Sequence, residues 1–305
     1  MKILITGANG LLGQELVKQL LQEGSSTIVA TSKGICRLPE AYAAKVTYID
    51  LDITFGQQVA EVLASVKPDC IIHAAAMTQV DDCENDKQHC YNTNVGATRF
   101  LIDGAKGADS RFVYISTDFV FDGLSGLYSE DDVPAPVNYY GSTKLAAENA
   151  VKESGLKWNI IRTVLVYGKA SPGSRSNLVT WVKKSLEEGK NIKVVCDQWR
   201  TPTYVEDLAK GIRLVINQKT NGIYHISGKD LLTPYDMAIK TAAALHLDAS
   251  LIEKVDAGNF SQCGERPKKT GFTIDKARKE LGFEPHSFQE SLEKIFGKNV
   301  ATTSA

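Results

Sequence analysis

The sequence predicts an α/β fold: a doubly wound parallel sheet with a smaller mixed α/β lobe supplied by the second half of the chain. Three observations predict it. Short β-branched runs alternate with longer stretches of helical spacing through the first half. The first of those runs leads straight into Thr6-Gly7-Ala8-Asn9-Gly10-Leu11-Leu12-Gly13. From about residue 169 the alternation gives way to a Gly/Ser/Pro loop and a mixed segment.

Strands are expected at 2–6, 27–31, 69–73, 112–116 and 159–166, each short and apolar on both faces, as in a sheet covered by helices on each side. Helical spacing runs over 11–23, 57–66, about 92–106 and 140–154. Beyond the loop at 170–176 come a helix, a strand at 192–196, a helix at 204–216 and a strand at 222–227. The remainder is mostly helical, with a frayed tail at 299–305. The expected division is therefore a dinucleotide-type domain at 1–168 plus about 203–227, and a substrate lobe at about 169–202 and 228–298.

With 305 residues the chain has ample length for a large core, and 43% hydrophobic against 23% charged residues is ordinary for a globular protein. A net charge of −1 gives no basic excess for nucleic acid or an anionic membrane. No apolar run approaches the ~18 residues of a spanning helix. Met1-Lys2 passes at once into the first strand with no apolar leader, so a cytoplasmic location is expected. The six cysteines form no C-x-x-C pair and the five histidines no metal-binding rhythm, so the cysteines read as reduced, mostly buried thiols and no metal site is expected.

In G-x-x-G-x-x-G, Gly7 permits a tight turn, Gly10 lets backbone approach a pyrophosphate, and Gly13 allows close contact of helix and strand. The helix beginning at Leu11-Leu12 then offers N–H donors and a positive dipole end. Three glycines alone mean only a turn; between a strand and a helix they mean a dinucleotide. After the second strand an NAD-preferring fold places an acid, whereas here Ser32-Lys33 stands, able to bond a 2′-phosphate. NADP is the expected cofactor and NAD the alternative; the bland reading of Lys33 is a solvated loop charge. Asp52-Ile53 stands ahead of the strand at 69–73, as an adenine contact or a helix cap. Ala74-Ala75-Ala76 closes that strand, small enough for a cofactor or for tight packing.

Tyr140-Gly141-Ser142-Thr143-Lys144 sets a phenol and an ammonium four residues apart on one helix face. A ketone that accepts hydride needs a proton donor. A lysine cation near a tyrosine is expected to bring the phenol, ordinarily near ~10, toward neutrality. Ser116 or Thr117, at the carboxyl end of a sheet strand, stands ready to donate to a substrate carbonyl, or to cap the turn.

Thr6–Gly13, Ser116-Thr117-Asp118-Phe119-Val120-Phe121-Asp122-Gly123 and Tyr140-Gly141-Ser142-Thr143-Lys144-Leu145-Ala146-Ala147-Glu148 together resemble the extended short-chain dehydrogenase/reductases, and among them the dTDP-4-dehydrorhamnose reductases. Arg162-Thr163 before Tyr167-Gly168, Asp197-Gln198 with Pro202-Thr203, and Arg266-Pro267 extend the resemblance over nearly the whole chain. It implies a Rossmann domain, the trio Thr117, Tyr140 and Lys144 in catalysis, and cofactor contacts at Gly10–Leu12, Asp52-Ile53 and Ala74–Ala76. It further implies a nucleotide-sugar partner touched by Thr117 and Asp118. Related 4,6-dehydratases carry Asp-Glu after this threonine, while here Phe119 follows Asp118, which leaves reduction.

Two positions depart from those reductases: Leu165 stands where they commonly have tryptophan, and Arg200 where they commonly have glycine. Arg200 or Arg266 is expected to clamp a diphosphate and Asn177 to add a polar contact. A homodimer is expected. The alternatives are a non-catalytic regulatory subunit, since the β subunit of methionine adenosyltransferase resembles the same family, and a reductase of another keto sugar.

Overall fold

The computed structural model describes residues 1–169 and 176–297. The tail at 299–305 and, but for Ser176, the loop at 170–176 lie outside the described residues.

Eleven strands are present among the described residues. These are β1 (Lys2–Thr6), β2 (Thr27–Ser32), β3 (Thr47–Asp50), β4 (Cys70–His73), β5 (Arg111–Thr117), β6 (Trp158–Thr163), β7 (Val166–Tyr167), β8 (Ile192–Val195), β9 (Thr203–Tyr204), β10 (Gly222–His225) and β11 (Ile252–Val255). Seven of them form one parallel sheet in the order β10-β6-β5-β4-β1-β2-β3. The order reverses between β1 and β4, which opens a crevice at the carboxyl ends of these strands.

The helices are α1 (Leu11–Glu23), α2 (Glu40–Ala43), α3 (Gly56–Val66), α4 (Val80–Asn85), α5 (Lys87–Tyr91), α6 (Ala97–Gly107), α7 (Tyr139–Lys152), α8 (Leu178–Glu187), α9 (Val205–Gln218), α10 (Pro234–Ala244), α11 (Asp275–Leu281) and α12 (Phe288–Phe296). Period-two alternation on the strands decides which helix covers which face. Ile3 and Ile5 of β1 point to α1, α9 and α11 through Leu16, Leu20, Leu208, Ile212 and Leu281. Leu4, between them, points to α3, α6 and α7 through Leu63, Leu101 and Val151. Burying both faces removes the need for a polar side, which is why these strands are apolar throughout.

Helix α1 starts at Gly10 and ends on Gly24 at φ 67°, a left-handed residue that glycine adopts without strain. The later helices α8, α10 and α12 begin at Asn177, Thr233 and Ser287, each with a reciprocal capping box. Helices α8 and α10 pack with the parallel pair β8–β11 around Val182, Leu186, Ile192 and Ile252.

Three expected elements differ in the structure. The strand at 159–166 stops at Thr163, because Leu165 takes φ 35° and turns the chain. The Thr203 hydroxyl then bonds the Val164 carbonyl at 2.7 Å, and β7 pairs with β9 in a separate two-stranded sheet. The helix at 92–106 opens as a π-turn over Asn92–Gly96, which directs Asn94 at Met77 and Thr143. Asp69 lies before β4 and not in it, its carboxylate accepting from the Lys2 amide at 2.6 Å.

Candidate active site

The turn after β1 has the geometry of a phosphate cradle. Gly7 sits at φ 71°, and a Cβ there would lie 2.9 Å from the Ala75 backbone. At Gly13 a Cβ would stand 2.3 Å from the Gly7 carbonyl and 2.6 Å from Ala8 Cα, so helix and strand approach only because it is glycine. Gly10 has extended backbone and contributes no capping side chain, so the first amides of α1, at Leu11 and Leu12, keep their donors for a ligand. The Leu11 and Leu12 side chains pack toward the second lobe, so these residues face the cradle with backbone alone. These residues fit a dinucleotide: a glycine turn closed to any Cβ and a helix start with free amides. Ala75 packs on Gly7, while Ala74 and Ala76 line the adjoining cavity.

Around the expected 2′-phosphate position, Ser32 ends β2 and the Lys33 side chain is 79% exposed. The Lys33 ammonium is 2.9 Å from Asp52 Oδ2, and Asp52 Oδ1 caps Thr54 at 3.0 Å. Burial pushes the Asp52 carboxyl up, but hydrogen bonds from Lys33 and Thr54 outweigh it and leave the group below its ordinary range. Asp52 therefore caps a turn and holds Lys33, and the Ile53 side chain is buried in the core beside Leu63. Asn9, which the sequence reading passed over, ties this loop to the glycine turn. It donates to the Ile35 carbonyl at 2.9 Å and the Tyr48 hydroxyl at 3.0 Å, and accepts from the Arg37 amide at 2.8 Å.

At the carboxyl ends of β4, β5 and β6 lies a cavity of about 550 Å³ that brings together Ser116, Thr117, Asp118, Tyr140, Lys144, Asn177, Arg200 and Arg266. Tyr140 and Lys144 enter from α7, whose N-terminus is capped by Asn138 accepting from the Gly141 amide at 2.8 Å. Tyr140 is 8% exposed and Lys144 3%. Burial pushes the Tyr140 phenol well above its usual range, a Thr117 hydrogen bond opposes this, and the Asp118 charge adds to it. Burial also lowers the Lys144 ammonium to about 7, against the raising effect of Glu148. This corrects the expectation that the lysine would draw the phenol toward neutrality. The ammonium donates to the Ile115 carbonyl at 2.7 Å and lies 4.1 Å over the Tyr114 ring, and desolvation moves both groups toward their neutral forms.

Thr117 caps the short turn after β5, accepting from the Phe119 amide at 3.2 Å and donating to Asp118 Oδ1 at 3.1 Å. Its neighbour Ser116 is 3% exposed, lines the cavity, and has no protein partner for its hydroxyl. Asp118 is fully enclosed; its Oδ2 accepts from the Thr270 hydroxyl and lies 3.7 Å from Arg200 Nε. Thr270 gave no sequence signal: it stands 152 residues from its partner.

The two arginines reach the cavity with their donors engaged. Arg200 donates to the carbonyls of Trp199, Lys268 and Pro267 at 2.8, 3.1 and 2.7 Å and to Gln198 Oε1 at 3.3 Å. Its guanidinium is an internal cation rather than the free clamp expected of it. Arg266 grips Asp81 bidentately at 2.7 Å and holds that carboxyl down to about 2. The Asn177 amide caps α8 and donates to the Gly168 carbonyl at 2.8 Å, so its polar atoms too are largely committed. Leu165 lines the cavity 38% exposed.

Residues 1–300 match the family described as RmlD substrate binding domain. The chain is 30% identical over 292 residues to the probable low-salt glycan biosynthesis reductase Agl14 of Haloferax volcanii, covering 94% of this chain and 95% of that one. It is also 30% identical to the methionine adenosyltransferase 2 subunit beta of Mus musculus, over 83% of this chain and 75% of that one. Among solved structures, dTDP-4-dehydrorhamnose reductase of Bacillus anthracis in complex with NADP superposes with a TM-score of 0.85 at 32% identity, covering 97% and 98% of the two chains.

Proposed function

We infer the reaction from one premise: the chain belongs to the RmlD substrate-binding-domain family, among the extended short-chain dehydrogenase/reductases. It is an NADP-dependent oxidoreductase that reduces the 4-keto group of a nucleotide sugar, and the substrate proposed is dTDP-4-dehydro-β-L-rhamnose, giving dTDP-L-rhamnose. The observation that carries this reading is the convergence of Thr117, Tyr140 and Lys144 on one cavity, with Phe119 rather than a second carboxylate after Asp118.

The cradle at Gly7, Gly10 and Gly13, with the amides of Leu11 and Leu12, would hold the cofactor pyrophosphate. Ser32 and Lys33 would meet the 2′-phosphate, with Asp52 and the Ile53 backbone beside the adenine and Ala74–Ala76 against the nicotinamide side. When bound, the cofactor supplies the hydride. Tyr140 delivers the proton to the oxygen that becomes an alkoxide, and its raised phenol keeps that proton through neutral pH. Lys144, lowered to about 7 by burial, supplies a cation beside the phenol below that pH, and Thr117 shares the cavity with Tyr140. Arg200 paired with Asp118 and Arg266 with Asp81 neutralise each other on the sugar side, which suits an uncharged hexose. Arg266, the more exposed of the two, is the candidate for a diphosphate contact, with Asn177 at the cavity rim.

The reading divides the chain into a cofactor domain at 1–168 plus about 203–227 and a substrate lobe at about 169–202 and 228–298. It places the protein in the cytoplasm as a homodimer. No helix among the described residues is long and apolar enough to cross a membrane, and Phe100, 40% exposed on α6, offers apolar surface for a second copy. Incubation with the 4-keto sugar nucleotide and NADPH, followed by identification of the product, tests the activity. A folded, NADPH-binding protein that reduces none of a panel of such substrates would instead favour a regulatory subunit like the methionine adenosyltransferase relative.

A further inference from the structure

The Arg200 cation lies directly against the catalytic turn. Four terminal N–H groups of the Arg200 guanidinium are spent on the Trp199, Lys268 and Pro267 carbonyls and on Gln198 Oε1. That leaves Nε, 3.7 Å from Asp118 Oδ2, and a guanidinium carbon 5.6 Å from the centre of the Phe119 ring. Phe119 in turn meets the Tyr140 ring edge-on at 6.0 Å. The residue thus touches both neighbours of the reactive turn and, at 4% exposure, faces little solvent.

Thr117 has one proton and two directions for it. Asp118 Oδ1 takes it at 3.1 Å, and the cavity that Thr117 shares with Tyr140 is the other. An ionised Asp118 keeps the proton, and Thr117 then turns its lone pairs to the cavity. A protonated Asp118 would compete less well and release the threonine hydroxyl to turn. Among the described residues, the groups facing Asp118 are the Arg200 cation, the Thr270 and Thr117 hydroxyls, and the Tyr140 phenol. Burial pushes the Asp118 carboxyl up and the Arg200 charge is the largest influence pulling it back.

We propose that Arg200 is a positioning residue for the reduction, acting through Asp118 to fix the direction of the Thr117 hydroxyl and hence whether a proton or a lone pair faces the cavity it shares with Tyr140. The proposal rests on the reductase reading above. It replaces the diphosphate clamp: a guanidinium holding four oxygen acceptors has no fork to give a ligand.

The test compares Arg200→Met, Arg200→Lys and the double variant Arg200→Met/Asp118→Asn with the parent protein in two measurements. In steady-state kinetics with NADPH and a 4-keto nucleotide sugar, Arg200→Met should lower kcat by at least ~10-fold with KM changed less than about 3-fold. That split marks an interaction made mainly in the transition state. Arg200→Lys, keeping a charge near Asp118, should recover part of the loss. The second measurement is thermal unfolding against pH without cofactor or substrate. A carboxyl whose folded pKa is raised contributes stability below its unfolded pKa and loses it as pH rises through the folded one. Removing Arg200 raises the folded value further, so the Tm of Arg200→Met should climb by about 3 °C or more between pH 8 and pH 5 relative to the double variant, whose position 118 does not titrate. A raised KM with kcat intact would overturn the proposal in favour of a clamp. Parallel Tm profiles for Arg200→Met and the double variant would overturn it as well, whatever the kinetics. A parent protein inactive on every substrate would sink the reductase reading, and the unfolding profiles would then decide the Arg200–Asp118 link by themselves.

Discussion

Tyr140→Phe removes one oxygen from the centre of the site and separates chemistry from folding. The phenol is 8% exposed and shares its cavity with the Thr117 hydroxyl, so at most one hydrogen bond is at stake. The ring itself packs on Phe119 and in the cluster of Val80, Cys83 and Cys90, contacts that phenylalanine keeps. Losing one net hydrogen bond costs about 1 kcal/mol, which lowers Tm by roughly 2–4 °C in a protein of this size. The proton it delivers is worth far more: positioned acid catalysis contributes about 10²–10⁴-fold, or roughly 3–5 kcal/mol of barrier. The variant should therefore remain folded, bind NADPH with nearly the parent affinity by fluorescence titration, and lose at least ~10²-fold in kcat. The pH dependence sharpens the test. Burial holds the Tyr140 phenol above its usual range, so it stays protonated through the neutral range, while Lys144 sheds its proton near pH 7. In the parent protein kcat/KM should accordingly fall as pH rises through about 7, and Lys144→Met should abolish that limb. A Tyr140→Phe protein turning over at near the parent rate would remove the phenol from the reaction and refute this reasoning.

Three further perturbations probe the rest of the site. The Lys33 side chain is 79% exposed and paired with Asp52, so Lys33→Ala should weaken NADPH only about 5-fold, as expected of an exposed ion pair, and leave NADH unchanged. Equal effects on both cofactors would show that this loop does not read the 2′-phosphate. Gly13→Ala would drive a Cβ to 2.3 Å from the Gly7 carbonyl; the strain, about 1–3 kcal/mol, should appear as a lower Tm and weaker dinucleotide binding. Ser116 carries the unpartnered hydroxyl at the end of β5, whereas Thr117 has given its proton to Asp118. Ser116→Ala should thus lower kcat/KM by an order of magnitude, about the worth of one donor to a reacting oxygen; a substitution without kinetic effect would return that role to Thr117.

Much of the fold was legible because it rests on local periodicity. The boundaries of α1, from Leu11 to Glu23, follow from glycine at both ends and an apolar stripe between. The glycine cradle could be read for the same reason: strand, turn and helix are consecutive, so spacing fixes geometry. What escaped were features set by distant segments. The strand at 159–166 broke at Leu165 because Thr203, 39 residues beyond Val164, supplies the capping hydroxyl. Lys144 lay on the expected face of α7, yet its charge is governed by burial against β5, where it donates to the Ile115 carbonyl and lies over the Tyr114 ring, which no helical spacing reports. Arg200 could be seen as a departure, but its acceptors at 267 and 268 and its tie to Asp118 exist only in three dimensions. Asn94 was hidden in another way, since a π-turn in the middle of a helical pattern has no signature in side-chain period.

The most direct test of the central claim follows the hydride. The protein is incubated with dTDP-4-dehydro-β-L-rhamnose, generated in situ, and NADPH deuterated at the transferring position of the nicotinamide. The account predicts stoichiometric NADPH oxidation and dTDP-L-rhamnose carrying one deuterium at C4 of the sugar. Oxidation without deuterium in the sugar, or no conversion by folded protein with NADPH bound, would contradict it.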